Sequence, residues 1–175
     1  MLLLLKILET SKDPSIRSNI VIALGDIAVS FGNIMDDVSS HFRSLGETDG
    51  QNSERLYQGL SDTSASVKKN TLMVLTHLIL NGMIKVKGQL GEMAKCLEDP
   101  DPRISDLAKL FFKELSTKDN ALYNNLQDVI SHLSVGKFKV DEESFEKTMR
   151  FIFTFIEKVS PPFHFTLWRG TDEVG

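Results

Sequence analysis

Few residues in this 175-residue chain have the type and spacing for catalytic chemistry. The histidines His41, His77, His132 and His164 lie far apart, and none has a metal-ligand spacing with the cysteine or with another histidine. His77 lies beside an apolar stripe, which predicts a partly buried, hydrogen-bonded ring. The single cysteine, Cys96, falls on an apolar helical face, so a buried inert thiol is expected. It has no internal disulfide partner and fits a reducing compartment. Asp99 and Asp101 are close enough for paired carboxylates, but within Asp99-Pro100-Asp101-Pro102 they read first as turn and cap residues. Gly88 and Gly91 fall in a helical stretch without the Gly-Lys-Ser/Thr continuation of a phosphate loop. This inventory points to no enzyme, metal, cofactor or small-molecule substrate.

The lysines offer more. Lys68 and Lys69 open one helix, while Lys85 and Lys87 follow the Asn81-Gly82 turn. In an array of stacked helices the turns align along one edge, so lysines there can form a ridge for DNA phosphate or an acidic protein segment. Such contacts would be sequence-independent. For any one of these residues taken singly, a solvated face is the heavier reading, since that is the usual place for surface charge. Lys68, Lys69, Lys85 and Lys87 are therefore the candidate DNA or partner contacts, led by the last two. A net charge of −4 argues against a wholesale nucleic-acid coat.

The elements that must position these residues are helices. Ile16, Ile20, Ala23, Leu24 and Ile27 match Val67, Thr71, Val74, Leu75 and Leu78, and again Ile104, Ala108, Phe111, Phe112 and Leu115. These shared offsets trace one stripe of an α-helix written three times. A unit that cannot bury its stripe alone must stack on its neighbours, which predicts an elongated all-α solenoid. Asp13-Pro14 and Asp101-Pro102 each stop one helix and start the next, because proline suits the first helical position. Asp101 is the expected N-cap there, with Ser64 or Ser66 in the middle copy and Asn120 capping a later helix.

Each repeat helix has a companion. Leu56, Tyr57 and Leu60 precede the second copy; Leu90, Met93, Ala94 and Leu97 precede the third. Ala121, Leu122, Leu126, Val129, Ile130 and Leu133 begin a last pair, which Ser144–Val159 completes. The whole reads as about four helical pairs with the period of ~40 to 47 residues of HEAT-type repeats. Residues 1–159 form this array, and residues 44–54, polar and glycine-containing, read as a loop insertion. After Ser160-Pro161-Pro162 the pattern ends, leaving 160–175 as a poorly ordered tail. Leu2 to Leu5 is too short for a signal core or a membrane span, and it reads as half of a helix pair that starts inside an array. Uncapped array ends predict self-association in isolation.

The words of the repeats carry a resemblance. Arg17-Ser18-Asn19 with Ala23-Leu24-Gly25-Asp26, then Leu75 to Leu80 with Met83-Ile84-Lys85-Val86-Lys87-Gly88, resemble the HEAT-repeat region of the condensin subunit 1 family. Leu97-Glu98-Asp99-Pro100-Asp101-Pro102-Arg103-Ile104-Ser105 and Leu110 to Ser116 extend the match. The resemblance implies a non-catalytic scaffold in mitotic chromosome condensation that binds the kleisin and SMC subunits and engages DNA. It implies residence in the nucleus and on chromosomes, with a cytoplasmic pool. An adaptor of another complex, a transport receptor or phosphatase scaffold, would share the architecture.

Overall fold

Aspartate followed by proline starts a helix twice in the computed structural model, which describes residues 2–30, 56–84, 90–118, 120–135 and 139–156. Pro14 opens the second helix and Pro102 the fifth. In each case the preceding aspartate accepts from a backbone N–H of the first turn, Ser15 N to Asp13 at 2.8 Å and Arg103 N to Asp101 at 2.9 Å. Among the described residues all regular structure is helical: α1 (Leu2–Thr10), α2 (Pro14–Ser30), α3 (Ala65–Leu80), α4 (Leu90–Lys95), α5 (Pro102–Leu115), α6 (Ala121–Asn124), α7 (Leu126–Ser134) and α8 (Glu142–Ile156). Short 3-10 segments at Gln58–Ser61 and Cys96–Glu98 lead into the turns before α3 and α5.

The repeat helices stack side by side, α2 on α3 and α3 on α5. Their companions form a second row: α1 packs on α2, Gln58–Ser61 on α3 and Cys96–Glu98 on α5, while α7 lies against α4. This is the expected all-α solenoid. Its core is one continuous seam that includes Leu24, Val67, Leu72, Leu75, Phe111 and Phe112. Phe111 and Phe112 are fully buried and meet edge to face with centroids 5.1 Å apart. Removing either ring from water contributes roughly 1.5–3 kcal/mol.

Two glycines answer specific geometric demands. Gly82 has φ of +70° and ends α3, with Gly82 N–H donating to Ile79 O and Met83 N–H to Leu78 O, both at 2.9 Å. That left-handed turn satisfies carbonyls the helix would otherwise strand. Gly25 lies where α2 meets α3, and a Cβ there would sit 2.9 Å from Val74 Cγ1. The two helices approach this closely because the side chain is missing.

Several expectations need correction. Ile16, assigned to the buried stripe, is 45% exposed, although the equivalent Val67 and Ile104 are buried. The helices that carry the later two pack on a preceding repeat helix, α3 on α2 and α5 on α3, and no described helix precedes α2 in its row. Ser64 stands at the N-cap of α3 but makes no side-chain cap bond; Asp62 accepts from its N–H at 2.8 Å instead. Asn120 caps nothing with its side chain either, and turns the chain through a left-handed φ of 56°. The last pair is also less regular. Asn125 breaks its first helix into α6 and α7, Ile130 is exposed, and α8 packs mainly on the Cys96–Glu98 turn. The expected loop at 44–54 and tail at 160–175 lie outside the described residues.

Candidate interaction surface

The turn before each repeat helix is built on one polar residue. Ser11, Asp62 and Asp99 each accept from the backbone N–H two residues on, that of Asp13 at 3.3 Å, Ser64 at 2.8 Å and Asp101 at 2.9 Å. Each aspartate also meets a cation from the preceding repeat, on the other carboxylate oxygen at Asp99 and on both oxygens at Asp62. Arg17 holds Asp62 through Nε at 2.8 Å and Nη2 at 2.9 Å, while its Nη1 donates to the Ser11 carbonyl at 2.9 Å. One repeat later Lys68 Nζ pairs with Asp99. Arg17 and Lys68 each follow the first stripe residue of their own helix, so the two ion pairs are the same contact made twice.

The electrostatics follow from this arrangement. Burial alone would push the Asp62 carboxyl up, but the hydrogen bonds from Arg17 and Ser64, with the Arg17 charge, together hold it below its ordinary 3.8. The hydrogen bond to Asp62 raises the Arg17 guanidinium in turn. Smaller polar contacts stitch the same seam: Asn70 donates to Ser18 Oγ at 2.6 Å, and the hydroxyls of Ser18 and Ser66 stand 3.4 Å apart.

The sequence-predicted sites are distributed as follows. Lys68 is turned onto Asp99 and its side chain is only 19% exposed, a structural role that reading the sequence did not assign. Its neighbour Lys69 is exposed on the outside of α3. Lys85 and Lys87 lie outside the described residues, as do His41, His164 and Gly88. His77 is exposed rather than partly buried, its ring Nδ1 3.3 Å from the Asn81 amide, because it sits on the solvent side of α3. His132 is the more enclosed histidine: its Nε2 stands 3.1 Å from Glu92, and its ring covers Gly91 where α7 crosses α4. Asp99 and Asp101 are turn and cap residues, as expected. Cys96 is buried, and desolvation, with Asp99 nearby, pushes its thiol up to about 12. No group of three or more His, Cys, Asp or Glu among the described residues is placed to hold a metal ion. No helix among them is long and apolar enough to cross a membrane.

Repeat-to-repeat pairing of this kind describes an array but does not by itself say which. Residues 15–164 match the family model described as non-SMC mitotic condensation complex subunit 1. The chain belongs to that family. Within it, condensin complex subunit 1 of Saccharomyces cerevisiae is 47% identical over 156 residues, 89% of this chain and 12% of that protein. The human condensin complex subunit 1 is 44% identical over 156 residues, covering 89% and 10%. The condensin-1 complex subunit CAP-D2 of Arabidopsis thaliana is 43% identical over 157 residues, with the same coverage. The chain therefore spans only about a tenth of these condensin subunits, and the residues that the family model matches include Arg17, Asp62, Lys68 and Asp99.

Proposed function

We propose that this chain acts as a non-catalytic scaffold segment of a condensin-type complex in mitotic chromosome condensation. Its helical array holds the kleisin subunit beside the SMC subunits and touches DNA through exposed lysines. The family match over residues 15–164 carries this reading. The fold supports it, since side-by-side repeats bury their seam and leave helix faces and turns open to other macromolecules.

The proposed phosphate contacts are Lys69, Lys85 and Lys87, with Lys68 contributing less because Asp99 already neutralises it. Residence follows the role: nuclear and chromosomal, with a cytoplasmic pool between divisions. The transport-receptor and phosphatase-scaffold alternative has no observation in its favour.

Expression of the tagged chain in mitotic cells tests the reading. Co-purification with the kleisin and SMC subunits, and decoration of condensed chromosomes, is the expected result. A chain that stays diffuse through mitosis and captures neither subunit would overturn it. Duplex DNA binding by the purified chain should fall steeply with salt, and charge reversal at Lys69, Lys85 and Lys87 should weaken it alike on unrelated sequences.

A further inference from the structure

Three exposed apolar residues occupy one register of the stack. Ile22 on α2, Met73 on α3 and Leu110 on α5 each stand six residues after the first stripe residue of their helix, and they are 43%, 48% and 51% exposed. Their helices pack side by side with little slippage, because Gly25 meets Val74, and Arg17–Asp62 is repeated as Lys68–Asp99. Ile22, Met73 and Leu110 therefore form a row running across the helices, stepping by the interaxial distance of about 8–10 Å. Nothing in the core arrangement needs large apolar side chains there.

The charges beside the row are asymmetric. One helical turn further on stand Asp26, His77 and Glu114, all exposed. One turn back stands Lys69 as the exposed cation, with Asp106 and Lys109 paired to each other at 3.1 Å. Asp26 and Glu114, which form no ion pair among the described residues, thus border the row on one side.

We propose that Ile22, Met73 and Leu110 form a docking ridge for an extended partner segment in polyproline-II conformation. That segment carries an apolar side chain at every third residue, with Lys or Arg between them facing Asp26 and Glu114. The match is geometric. Polyproline II has three residues per turn at about 3.1 Å each, so every third side chain points the same way about 9 Å apart. A β-strand fails this test, because residues three apart point to opposite faces. Exposed apolar rows bordered by charge mark protein contact sites, and the flexible Met73 at the centre adapts to its anchor. This ridge deepens the partner-binding reading above and rests on it.

A fluorescein-labelled synthetic peptide of four Leu-Lys-Pro triplets, titrated with the full 175-residue chain and read by anisotropy, tests the ridge. Saturable one-to-one binding is expected. Met73→Asp and, independently, Leu110→Ser should each weaken it at least tenfold with helicity unchanged. Asp26→Lys combined with Glu114→Lys should weaken it at least threefold, more so at low salt. A peptide of the same composition with its leucines in one block should bind at least tenfold more weakly. Equal binding by the blocked peptide, or indifference to both ridge substitutions, would overturn the proposal. So would absence of peptide binding accompanied by self-association that Met73→Asp abolishes, which would assign the row to a second copy. Failure of peptide binding while the unmodified chain still captures the kleisin refutes the ridge alone; failure of the unmodified chain to capture the kleisin refutes the function.

Discussion

Arg17 reaches across the junction between two repeats and grips Asp62 with two parallel hydrogen bonds of 2.8 and 2.9 Å. The fork of the guanidinium matches the carboxylate, and the other bond that Asp62 accepts, from Ser64 N–H, fixes where the next helix begins. Lys68 and Asp99 repeat the contact one unit on. Turn geometry and stacking register are thus set by one residue at each of these two junctions, Asp62 and Asp99.

Acid should weaken this junction. The Asp62 carboxyl sits below its ordinary 3.8, so its contribution is complete above that value and is lost as pH falls through the lower, folded-state value. Asp62→Asn should lower the thermal midpoint at pH 7, and it should also flatten the decline below about pH 4. A variant with an unchanged acid limb would contradict the assignment. Asp101 and Asp141, lowered chiefly by hydrogen bonds from Arg103 and from Ser144, act in the same direction and leave part of the decline in place.

Lys68→Asp should destabilise the chain by about 1 kcal/mol, and adding Asp99→Lys should restore part of the loss. Urea unfolding of the two single variants and the double measures the coupling. Strict additivity would mean that the pair does no joint work.

Gly25→Ala should have opposite signs in two backgrounds. Alanine favours a helix over glycine by about 1 kcal/mol, but here its Cβ meets Val74, and overpacking costs about 1–3 kcal/mol. Destabilisation is expected in the native chain and stabilisation in Val74→Ala. The same sign in both would place α2 and α3 further apart than described.

Cys96 should resist a thiol reagent in the native chain at pH 8 and react fully in denaturant, since burial holds the thiol protonated. Rapid labelling without denaturant would show that the α4–α5 turn opens readily.

The architecture was legible because it recurs. Offsets shared by Ile20, Thr71 and Ala108, or by Leu24, Leu75 and Phe112, state a buried face three times, and all six residues are buried. What recurs once was harder to see. The Arg17–Asp62 and Lys68–Asp99 pairs lie 45 and 31 residues apart, beyond the reach of local pattern. Their signal was still present, as a base after the first stripe residue and an acid five residues before the next one. Lys68 and Lys69 are adjacent in sequence, yet on a helix adjacent residues diverge, and one is taken by Asp99 while the other faces water. His77 and His132 were indistinguishable by composition. Only the crossing of α7 over Gly91 makes His132 the enclosed one.

Titration of the purified 175-residue chain with the kleisin subunit by calorimetry tests the central claim most directly. The account predicts saturable one-to-one binding that survives removal of nucleic acid by nuclease and is lost when Arg17→Glu and Lys68→Glu together unseat the repeats. Absence of any saturable heat at high concentrations of a folded, helical chain would contradict it.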